Sequence, residues 1–525
     1  PTQEVRSACT GARGVSSFGF SGTIAHVVLR ASLIPTFERT LLAQRLYTRF
    51  RFFWHAPSLC PYTDRTIRSF ATCWVPHPHE TKVLCSSSWL LCMQHSQRKG
   101  LQSARIREWQ AVAIILTGST DLAPSLQGMA ATLALIQLAS SLKIHPRVLV
   151  LMRSAFETNL SCATAGTAHS GVWGLLRVLR TEVDMRICCA MSRQSEVAAE
   201  RLAWLLDSPT AATETEWHAS GSRVPRLREA AQTASTSATA HMPGSQYVVT
   251  GGLGGLGTRV ATSLLVQGAA GIVLVARSAR LLSERSGLEH RAQHLHIVAA
   301  DVGDTAEIVS LFRHVVVAGV VHASGVLRDK TLRFLPADDF RHVFAPKSGA
   351  AWHIHTSAAQ SPLEAASFFS SVASLLGKAG QASYAAANAY MDSLAPYRRM
   401  QGLVSTSLQL PAVSGAGMSV RVFSDGQLRE MHPITLDELA ACLAFSMRMP
   451  HGAGQTTELP WVRGAPLSKH MEVVERLTNT DTESIKAPCP FAGSWKNPYE
   501  FIVSIVRKLA GGTAAAALSA DTPLM

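Results

Sequence analysis

A cluster of glycines between a short apolar strand and a helix constrains the fold of this chain most. Tyr247–Thr250 favours a strand, and Arg259–Gln267 has helical spacing. The turn between them contains Gly251, Gly252, Gly254, Gly255 and Gly257. Such glycines let the backbone bend tightly and approach a pyrophosphate, while the following helix offers free N–H groups and its positive dipole end. The segment therefore predicts a parallel α/β unit with a dinucleotide site at this turn.

The adenosine end of the dinucleotide is expected at the next strand, Ile272–Ala276, which ends in Arg277 and Ser278. An acidic residue there would bind the 2′-hydroxyl of NAD, whereas an arginine pairs with a 2′-phosphate. Arg277 therefore favours NADPH, unless it is merely a surface cation. Cofactor contacts are expected at the ends of four strands, from Thr250, Gly251, Gly252, Gly254, Gly255, Leu256, Gly257, Arg277, Ser278, Asp301, Val302, His322, Ala323, Ser324 and Gly325.

For two of these strand ends the sequence also predicts which part of the dinucleotide is contacted. Asp301 follows the strand Leu295–Ala299 and is placed for the adenine edge. His322 and the three residues after it end another strand and are expected to line the nicotinamide side. A single histidine in such a place is more often structural than catalytic.

A second group of residues has the chemistry that carbonyl reduction needs. Tyrosine, with a phenol pKa near 10, can act as an acid only if a nearby cation assists it. Ser371 stands near the end of the strand-like run Phe368–Val372, Tyr384 opens an alanine-rich helix, and Asn388 lies four residues later on the same face. Lys347, expected in an earlier helix, supplies the cation.

These residues resemble the ketoreductase domain of modular polyketide synthases and animal-type fatty acid synthases, a branch of the short-chain dehydrogenase/reductase superfamily. In ordinary superfamily members a lysine stands four residues after the tyrosine. In the synthase branch an asparagine takes that place and the lysine comes from an earlier helix, which is the arrangement of Asn388 and Lys347 here.

The resemblance implies a role for each catalytic residue. Tyr384 gives its proton to the alkoxide, and Ser371 hydrogen-bonds the carbonyl oxygen. Lys347 stabilises the phenolate and orients the cofactor ribose, while Asn388 holds a proton-relay water. The alternative is that Ser371 caps a turn, Lys347 is a surface charge and Tyr384 belongs to the core.

Two departures bear on stereochemistry and on the substrate lid. Family members that form the D-hydroxyl carry Leu-Asp-Asp where this chain has Leu327-Arg328-Asp329, and the other class has a tryptophan where Leu376 stands. The resemblance therefore favours the D-hydroxyl product. A Trp-Gly pair near the lid is replaced by Leu410 and Pro411.

The chain as a whole is predicted to be an α/β protein with two Rossmann-like parallel-sheet subdomains. Residues 70–232 alternate strands and helices, in Ala113–Leu116, Met129–Leu142, Arg147–Met152 and Gly171–Arg180. This structural half lacks a glycine turn, so we expect it to brace the catalytic half at 233–469 and to bind no cofactor.

The two ends resemble pieces of neighbouring synthase domains. Residues 1–30 resemble the C-terminal end of a β-ketoacyl synthase, a short α/β remnant in which His26 has no catalytic partners, and residues 31–69 are a linker. After a second linker at 470–495, residues 496–525 resemble the helical start of an acyl carrier protein. The serine that carries phosphopantetheine would lie past Met525, so both ends are expected to be truncated.

Composition limits the remaining possibilities. The net charge is +13, 47% of residues are hydrophobic, and ten cysteines are scattered without a CxxC pair. Basic surface that meets acidic partners explains the charge more simply than nucleic acid binding, for which there is no motif. Apolar runs of about 18 residues are missing, so no membrane span is expected. The sequence predicts no metal site, reduced thiols, and a cytoplasmic or organellar interior location without secretion.

These observations support three hypotheses about function. The first is an NADPH-dependent enzyme that reduces a β-ketoacyl thioester to a β-hydroxyacyl thioester during polyketide or fatty acid synthesis. Its expected partners are an acyl carrier protein bearing the β-ketoacyl-phosphopantetheine and other synthase domains. The second is a catalytically impaired ketoreductase that serves as a docking scaffold. The third is a stand-alone oxidoreductase on free small molecules.

Overall fold

The computed structural model describes a subset of the chain: residues 12–18, 24–30, 67–76, 89–93, 110–116, 123–153, 166–192, 205, 212–218, 221–229, 246–278, 295–447 without 316, 360 and 362, and 457–462. The chain divides into two units, residues 1–56 and 57–525. The first contains two antiparallel strands, β1 (Ala12–Phe18) and β2 (Ile24–Arg30), with His26 opposite Ser16. The predicted carrier-protein helix at 496–525 lies outside the described residues.

The second unit is built on one sheet of fourteen described strands. In chain order they are β3 (Ile67–Pro76), β4 (Trp89–Met93), β5 (Ala111–Leu116), β6 (Arg147–Arg153), β7 (Ile187–Ser192), β8 (Glu214–His218), β9 (Gly221–Glu229), β10 (Gln246–Thr250), β11 (Gly271–Ala276), β12 (Leu295–Ala299), β13 (Gly319–His322), β14 (Ala365–Ser371), β15 (Thr406–Leu410) and β16 (Thr457–Val462). Their spatial order is β12-β11-β10-β13-β14-β15-β16-β3-β9-β8-β7-β6-β5-β4.

Two parallel arrays make up this sheet. Strands β10 to β16 pair in parallel as the catalytic array, and β4 to β8 pair in parallel as the structural array. Parallel strands covered on both faces are continuous apolar runs, and all six residues of β5 are buried. The α/β fold with two parallel-sheet halves is thus confirmed. Antiparallel pairing of β16, β3, β9 and β8 joins the halves into one sheet.

Helices cover the sheet and connect its strands. They are α1 (Leu126–Ser140), α2 (Gly171–Glu182), α3 (Gly255–Val266), α4 (Thr305–His314), α5 (Ala337–Phe344), α6 (Ala350–Ala358), α7 (Ala373–Leu376), α8 (Ala382–Met400), α9 (Met418–Val422), α10 (Asp425–Glu430) and α11 (Leu436–Met447). A π-helical turn, Ala345–Gly349, separates α5 from α6. Side chains cap several of these helices, among them Ser125 at α1, Asp304 at α4 and Ser424 at α10.

The halves also meet through two helices, α2 of the structural half and α8 of the catalytic half. A Cβ added to Gly174 would lie 2.2 Å from the Ala385 carbonyl oxygen, and one on Gly171 would lie 3.0 Å from that of Ala386. The absence of side chains at these glycines lets the two backbones approach closely. Helix α8 carries Tyr384 in its first turn, so the structural half packs directly behind the candidate catalytic residue.

Element boundaries differ from the sequence predictions where a cap or a glycine decides them. Helix α1 begins at Leu126, three residues before the predicted Met129, because Ser125 accepts a hydrogen bond from Gly128 N. Helix α3 begins at Gly255, earlier than the predicted Arg259, because the last glycines of the turn are already helical. Strand β3 begins at Ile67, three residues inside the predicted linker.

Candidate active site

The glycine turn between β10 and α3 is tightly packed, with no room for side chains at several of its glycines. Gly251 has a φ of +66°, and a Cβ on Gly257 would lie 2.4 Å from the Gly251 carbonyl oxygen. A Cβ on Gly252 would lie 2.7 Å from the Val249 carbonyl oxygen. Helix α3 starts at the N-cap Gly254 with no side-chain cap. Its first N–H groups can therefore receive a pyrophosphate, so the described residues fit a dinucleotide.

The predicted adenosine-side residues lie at the carboxyl ends of the neighbouring strands. Arg277 and Ser278 are exposed directly after β11, which pairs with β10. Asp301 follows β12 and is exposed, with Oδ1 accepting a hydrogen bond from Gly303 N at 2.9 Å. Val302 is buried, and its side chain belongs to the core beneath the turn.

The predicted nicotinamide-side residues follow β13, on the other side of β10. Ala323 N donates to the Thr250 carbonyl at 3.1 Å, and a Cβ on Gly251 would lie 3.0 Å from Ala323 O and Ser324 Cα. A Cβ on Gly325 would lie 3.5 Å from Lys347 Nζ, which brings this turn next to the candidate catalytic lysine. His322 has 1% of its surface exposed, and both of its ring nitrogens are engaged with other residues.

The four predicted catalytic residues come together at the carboxyl edge of the sheet. Ser371 ends β14, and Tyr384 and Asn388 lie one helical turn apart in α8. Lys347 Nζ lies 5.0 Å from the centroid of the Tyr384 ring and donates to the Phe369 carbonyl at 3.0 Å. Lys347 lies in a helical segment, as expected, but within its π-helical turn Ala345–Gly349.

The electrostatics of this cluster are set by burial. Lys347 is 3% exposed, and burial lowers its pKa to about 7, a fall that the Asp392 carboxylate opposes. Burial raises the pKa of the Tyr384 phenol, and hydrogen bonding from the Asn388 and Ser371 side chains opposes that rise. The cation and the two hydrogen-bond donors thus favour the phenolate that a proton-donating tyrosine leaves behind.

Asn388 is fully buried and holds an unused acceptor. Its Nδ2 donates to the Tyr384 carbonyl at 2.9 Å, which fixes the amide plane. Its Oδ1 is buried without a hydrogen-bond partner in the described part of the chain. A buried acceptor of this kind is normally satisfied by protein or by ordered water.

One further polar residue beneath the site was missed by the sequence reasoning. Asp392 stands one turn after Asn388 in α8 and accepts hydrogen bonds from Ser374 Oγ and Ser407 Oγ, both at 2.6 Å, and from Gln409 Nε2 at 2.8 Å. Ser374 also bonds the Ser371 carbonyl at 2.7 Å. The spacing of four residues from Asn388 was the signal that could have placed Asp392 on the catalytic face.

Two loops that flank Tyr384 are tied together by a residue from the structural half. Glu182, the last residue of α2, accepts the N–H of Leu332 at 2.5 Å and that of Gly380 at 2.7 Å. Lys330 N donates to the Gly380 carbonyl at 2.8 Å, and Gln381 Nε2 donates to Asp329 at 3.0 Å. Asp329, the retained aspartate of the stereochemical motif, is therefore held by Gln381, which lies three residues before Tyr384.

The segment that follows β15 lies against the glycine turn. Leu410 is buried, and its carbonyl accepts the N–H of Val372 at 2.9 Å. A Cβ on Gly255 would lie 2.4 Å from Ala416 Cβ, so this segment covers the start of α3. Lys378 Nζ lies 3.6 Å from the centroid of the Phe423 ring, which links the loop before Tyr384 to the same segment.

Two features are absent from the described ranges of the chain. No cluster of three or more His, Cys, Asp or Glu side chains arranged for a metal ion occurs in this part of the chain. Among the same residues, no helix combines the length and apolar character needed to cross a membrane.

The class of the catalytic half follows from comparison with known families. Residues 245–415 match the family model of the KR domain, a range that contains the glycine turn and all four candidate catalytic residues. This match supports a ketoreductase region of the polyketide synthase kind within the chain.

Individual relatives point in the same direction. Polyketide synthase GfsA of Streptomyces halstedii is 30% identical over 358 residues, which are 65% of this chain and 5% of that protein. The 6-methylsalicylic acid synthase of Penicillium terrestre is 35% identical over 246 residues, covering 41% of this chain and 14% of the synthase. The chain thus spans a small part of the length of the curated relatives it matches.

Solved structures of ketoreductases share the fold. An A1-type ketoreductase superposes with a TM-score of 0.65 at 22% identity, covering 75% of this chain and 93% of the other. The first ketoreductase of the tylosin polyketide synthase superposes with a TM-score of 0.61 at 24% identity, covering 75% and 92%. Both comparisons extend over more than the residues of the family match, so the structural half is included in the shared fold.

Proposed function

We propose that this chain reduces a carrier-bound β-ketoacyl thioester to a β-hydroxyacyl thioester in polyketide or fatty acid synthesis, with NADPH as the reductant. The observation that carries the proposal is the meeting of Lys347 Nζ, the Tyr384 ring, Ser371 and Asn388 beside an uncapped helix N-terminus. A docking scaffold, the second hypothesis, requires no such assembly of side chains.

The cofactor would be held by the glycine turn and by the strand ends next to it. The pyrophosphate fits the N–H groups at the start of α3, and Arg277 is exposed where a 2′-phosphate would be bound. When bound there, NADPH supplies a hydride for the carbonyl carbon.

The protein residues then handle the oxygen and its proton. Ser371 donates a hydrogen bond to the carbonyl oxygen and polarises it, and Tyr384 transfers its phenolic proton to the oxygen as negative charge develops. Lys347, whose pKa burial lowers to about 7, stabilises the resulting phenolate when it is protonated. A water molecule at Asn388 Oδ1 would return a proton toward Tyr384.

The substrate is delivered, in this proposal, by an acyl carrier protein, and the product is the D-hydroxyl. Asp329 supports this stereochemistry because it keeps the last position of the family motif and is held beside Tyr384 through Gln381. Analysis of the product on a chiral column tests the assignment, and a pure L-hydroxyl product would reverse it.

The central experiment measures turnover of the purified chain. Mixed with NADPH and a synthetic β-ketoacyl thioester, the protein is expected to consume the nicotinamide absorbance. Tyr384→Phe should lower kcat by on the order of 10²–10⁴, since it removes the general acid, while leaving NADPH affinity unchanged. Wild-type protein that binds NADPH without turnover would favour the scaffold hypothesis, and preference for free ketones would favour the stand-alone oxidoreductase.

A further inference from the structure

A chain of hydrogen bonds connects the glycine turn to the backbone of the candidate catalytic lysine. His322 ends β13, with Nδ1 2.7 Å from Thr250 Oγ1 and Nε2 2.9 Å from the Lys347 carbonyl oxygen. We call these three residues the Thr–His–Lys chain. Thr250 and His322 are fully or almost fully buried, and the Phe368 ring meets the imidazole edge-on with centroids 6.2 Å apart.

The partners of His322 define its tautomer. A carbonyl oxygen can only accept, so Nε2 must carry the hydrogen and donate to Lys347. In the neutral ring Nδ1 then accepts, and the Thr250 hydroxyl is the donor. Burial, reinforced by the charge of Lys347, lowers the pKa of His322 to about 3, which agrees with a neutral ring. Both nitrogens are therefore used inside the protein and are not offered to a cofactor.

The Lys347 carbonyl lies in an unusual backbone and accepts two hydrogen bonds. In the π-helical turn Ala345–Gly349 the backbone bonds span five residues, where those of an α-helix span four. The N–H of Ala350 is shared between the carbonyls of Ala345 and Lys347. The His322 donor fills the other lone pair of the Lys347 carbonyl. At the far end of the side chain, Nζ is held by the Phe369 carbonyl.

We propose that His322 is a positioning residue that holds the π-helical turn of Lys347 at a fixed distance from the glycine turn. Its role is to keep the lysine ammonium, the Tyr384 phenol and the cofactor cradle in one arrangement. This inference rests on the proposed function for its effect on kcat, but the placement of Lys347 can be measured without any turnover.

Two substitutions at His322 separate the halves of the chain of hydrogen bonds. The amide nitrogen of Gln in His322→Gln can occupy the place of Nε2 and donate to Lys347, whereas the shorter side chain in His322→Asn reaches only toward Thr250. We expect His322→Asn to lower kcat by about 10- to 100-fold, as misplacement of a reacting group does, with the Kd of NADPH changed by less than about threefold. His322→Gln should recover most of that loss. His342→Asn, at an exposed position of α5, serves as the control.

Covalent labelling of lysine amines provides the measurement that is independent of activity. Lys347 is 3% exposed, whereas the Lys330 side chain is 41% exposed and serves as an internal reference in the same digest. Acylation followed by mass spectrometry should find Lys347 protected in wild type and His322→Gln and labelled several-fold faster in His322→Asn, at a constant Lys330 rate.

The outcomes distinguish the two proposals. Wild-type protein without turnover would overturn the proposed function, and the labelling ratio would still test the role of His322. Equal labelling of Lys347 and equal kcat in the Gln and Asn variants would overturn the positioning role. If His322→Asn does not fold, Thr250→Val removes the hydroxyl donor instead, and unchanged Lys347 labelling together with unchanged kcat in that variant would equally overturn it.

Discussion

A buried lysine is among the least favourable residues a folded protein can contain, and Lys347 is nevertheless almost fully enclosed. Its ammonium group has the Phe369 carbonyl as a partner and a carboxylate, Asp392, near enough to oppose the fall in its pKa. A pKa of about 7 makes the lysine a cation whose charge changes close to neutral pH. Such groups are typical of active sites, because catalysis benefits from a charge that can be altered there.

This lysine should make the stability of the protein depend on pH. Below about pH 7 the folded state contains a buried ammonium group at Lys347. Between about pH 7, the folded pKa, and 10.5, the ordinary pKa of lysine, this side chain is protonated in the unfolded chain and neutral in the folded one. The free energy of unfolding therefore rises with pH in that interval. Lys347→Met should therefore stabilise the protein by about 1–4 kcal/mol at pH 6, with a smaller gain at pH 10. Denaturant unfolding at both pH values measures the difference.

The matched control for this prediction is Lys143→Met, at an exposed position after α1. It removes the same groups without altering a buried charge. A gain for Lys347→Met that is the same at pH 6 and pH 10 would mean that the lysine is not the source of the pH dependence.

Arg277 should decide the choice between the two nicotinamide cofactors. Loss of a charge-assisted contact to a phosphate costs about 1.5–3 kcal/mol, so Arg277→Ser should raise KM for NADPH about 10- to 100-fold and leave KM for NADH nearly unchanged. Steady-state kinetics with both cofactors measures this. Arg313→Ser, which removes an exposed arginine from α4, is the control, and an equal loss for NADH and NADPH would contradict the assignment.

At the scale of elements, the crossing of α2 and α8 is the contact that places Tyr384. Gly174→Ala would set a Cβ 2.2 Å from the Ala385 carbonyl oxygen, and the backbone there cannot give way cheaply. We expect a loss of about 1–3 kcal/mol in the free energy of unfolding. Because Ala385 is next to Tyr384, kcat should also fall. Thermal unfolding and kinetics on the same preparation test both effects.

Gly426→Ala provides the contrast in another helix. A Cβ there meets nothing within 4 Å in the described part of the chain, and the residue lies in the exposed α10. Alanine should raise stability by up to about 1 kcal/mol through helix propensity and leave kcat unchanged. If both glycine substitutions had the same effect, close packing of α2 on α8 would not be the explanation.

Local sequence patterns predicted most strands and helices well. They did not predict the π-helical turn at Lys347 or the hydrogen bonds of His322. The strand Leu295–Ala299 has the predicted bounds, and its isoleucine and valine are residues that strands favour even where, as here, the strand is only partly buried. The π-helical turn at Lys347 was missed, since one extra residue in a turn leaves little trace in an apolar pattern. The bonds of His322 join residues 72 and 25 positions away, and no local spacing reports such pairs.

At the scale of the whole molecule, the half without a glycine turn contacts the loops of the candidate active site. Glu182 holds two loops of the catalytic half through the N–H groups of Leu332 and Gly380. Arg177, in the same helix, pairs with the buried Glu214 and donates to the Ser374 carbonyl at 2.8 Å. The structural half is therefore joined to the catalytic loops by specific hydrogen bonds in addition to apolar packing.

Glu182→Ala should separate binding of the cofactor from binding of the thioester. Removing the carboxylate leaves two amide donors without their acceptor, so we expect a loss of about 1–3 kcal/mol in stability and about a tenfold fall in kcat/KM for the thioester. The Kd of NADPH should be unchanged, because the glycine turn is not involved. Fluorescence titration with NADPH and steady-state kinetics measure the two quantities.

Two further variants sharpen that experiment. Glu182→Gln keeps one carbonyl oxygen and should give an intermediate kcat/KM. Glu430→Ala, at an exposed position of α10, is the control for loss of a glutamate. A parallel loss of NADPH affinity in Glu182→Ala would indicate general damage to the fold and would contradict a specific role for the two loops.

The antiparallel pairing of β16 with β3 brings the two ends of the reductase together. Ile67 and Val462 are directly opposite each other in the ladder, at the spacing of about 5 Å that such partners have. The first and last described strands of the second unit, β3 and β16, therefore have their outer ends side by side. A longer chain could gain or lose residues 67–462 without moving the segments on either side apart, which is the geometry that domain insertion and circular permutation require.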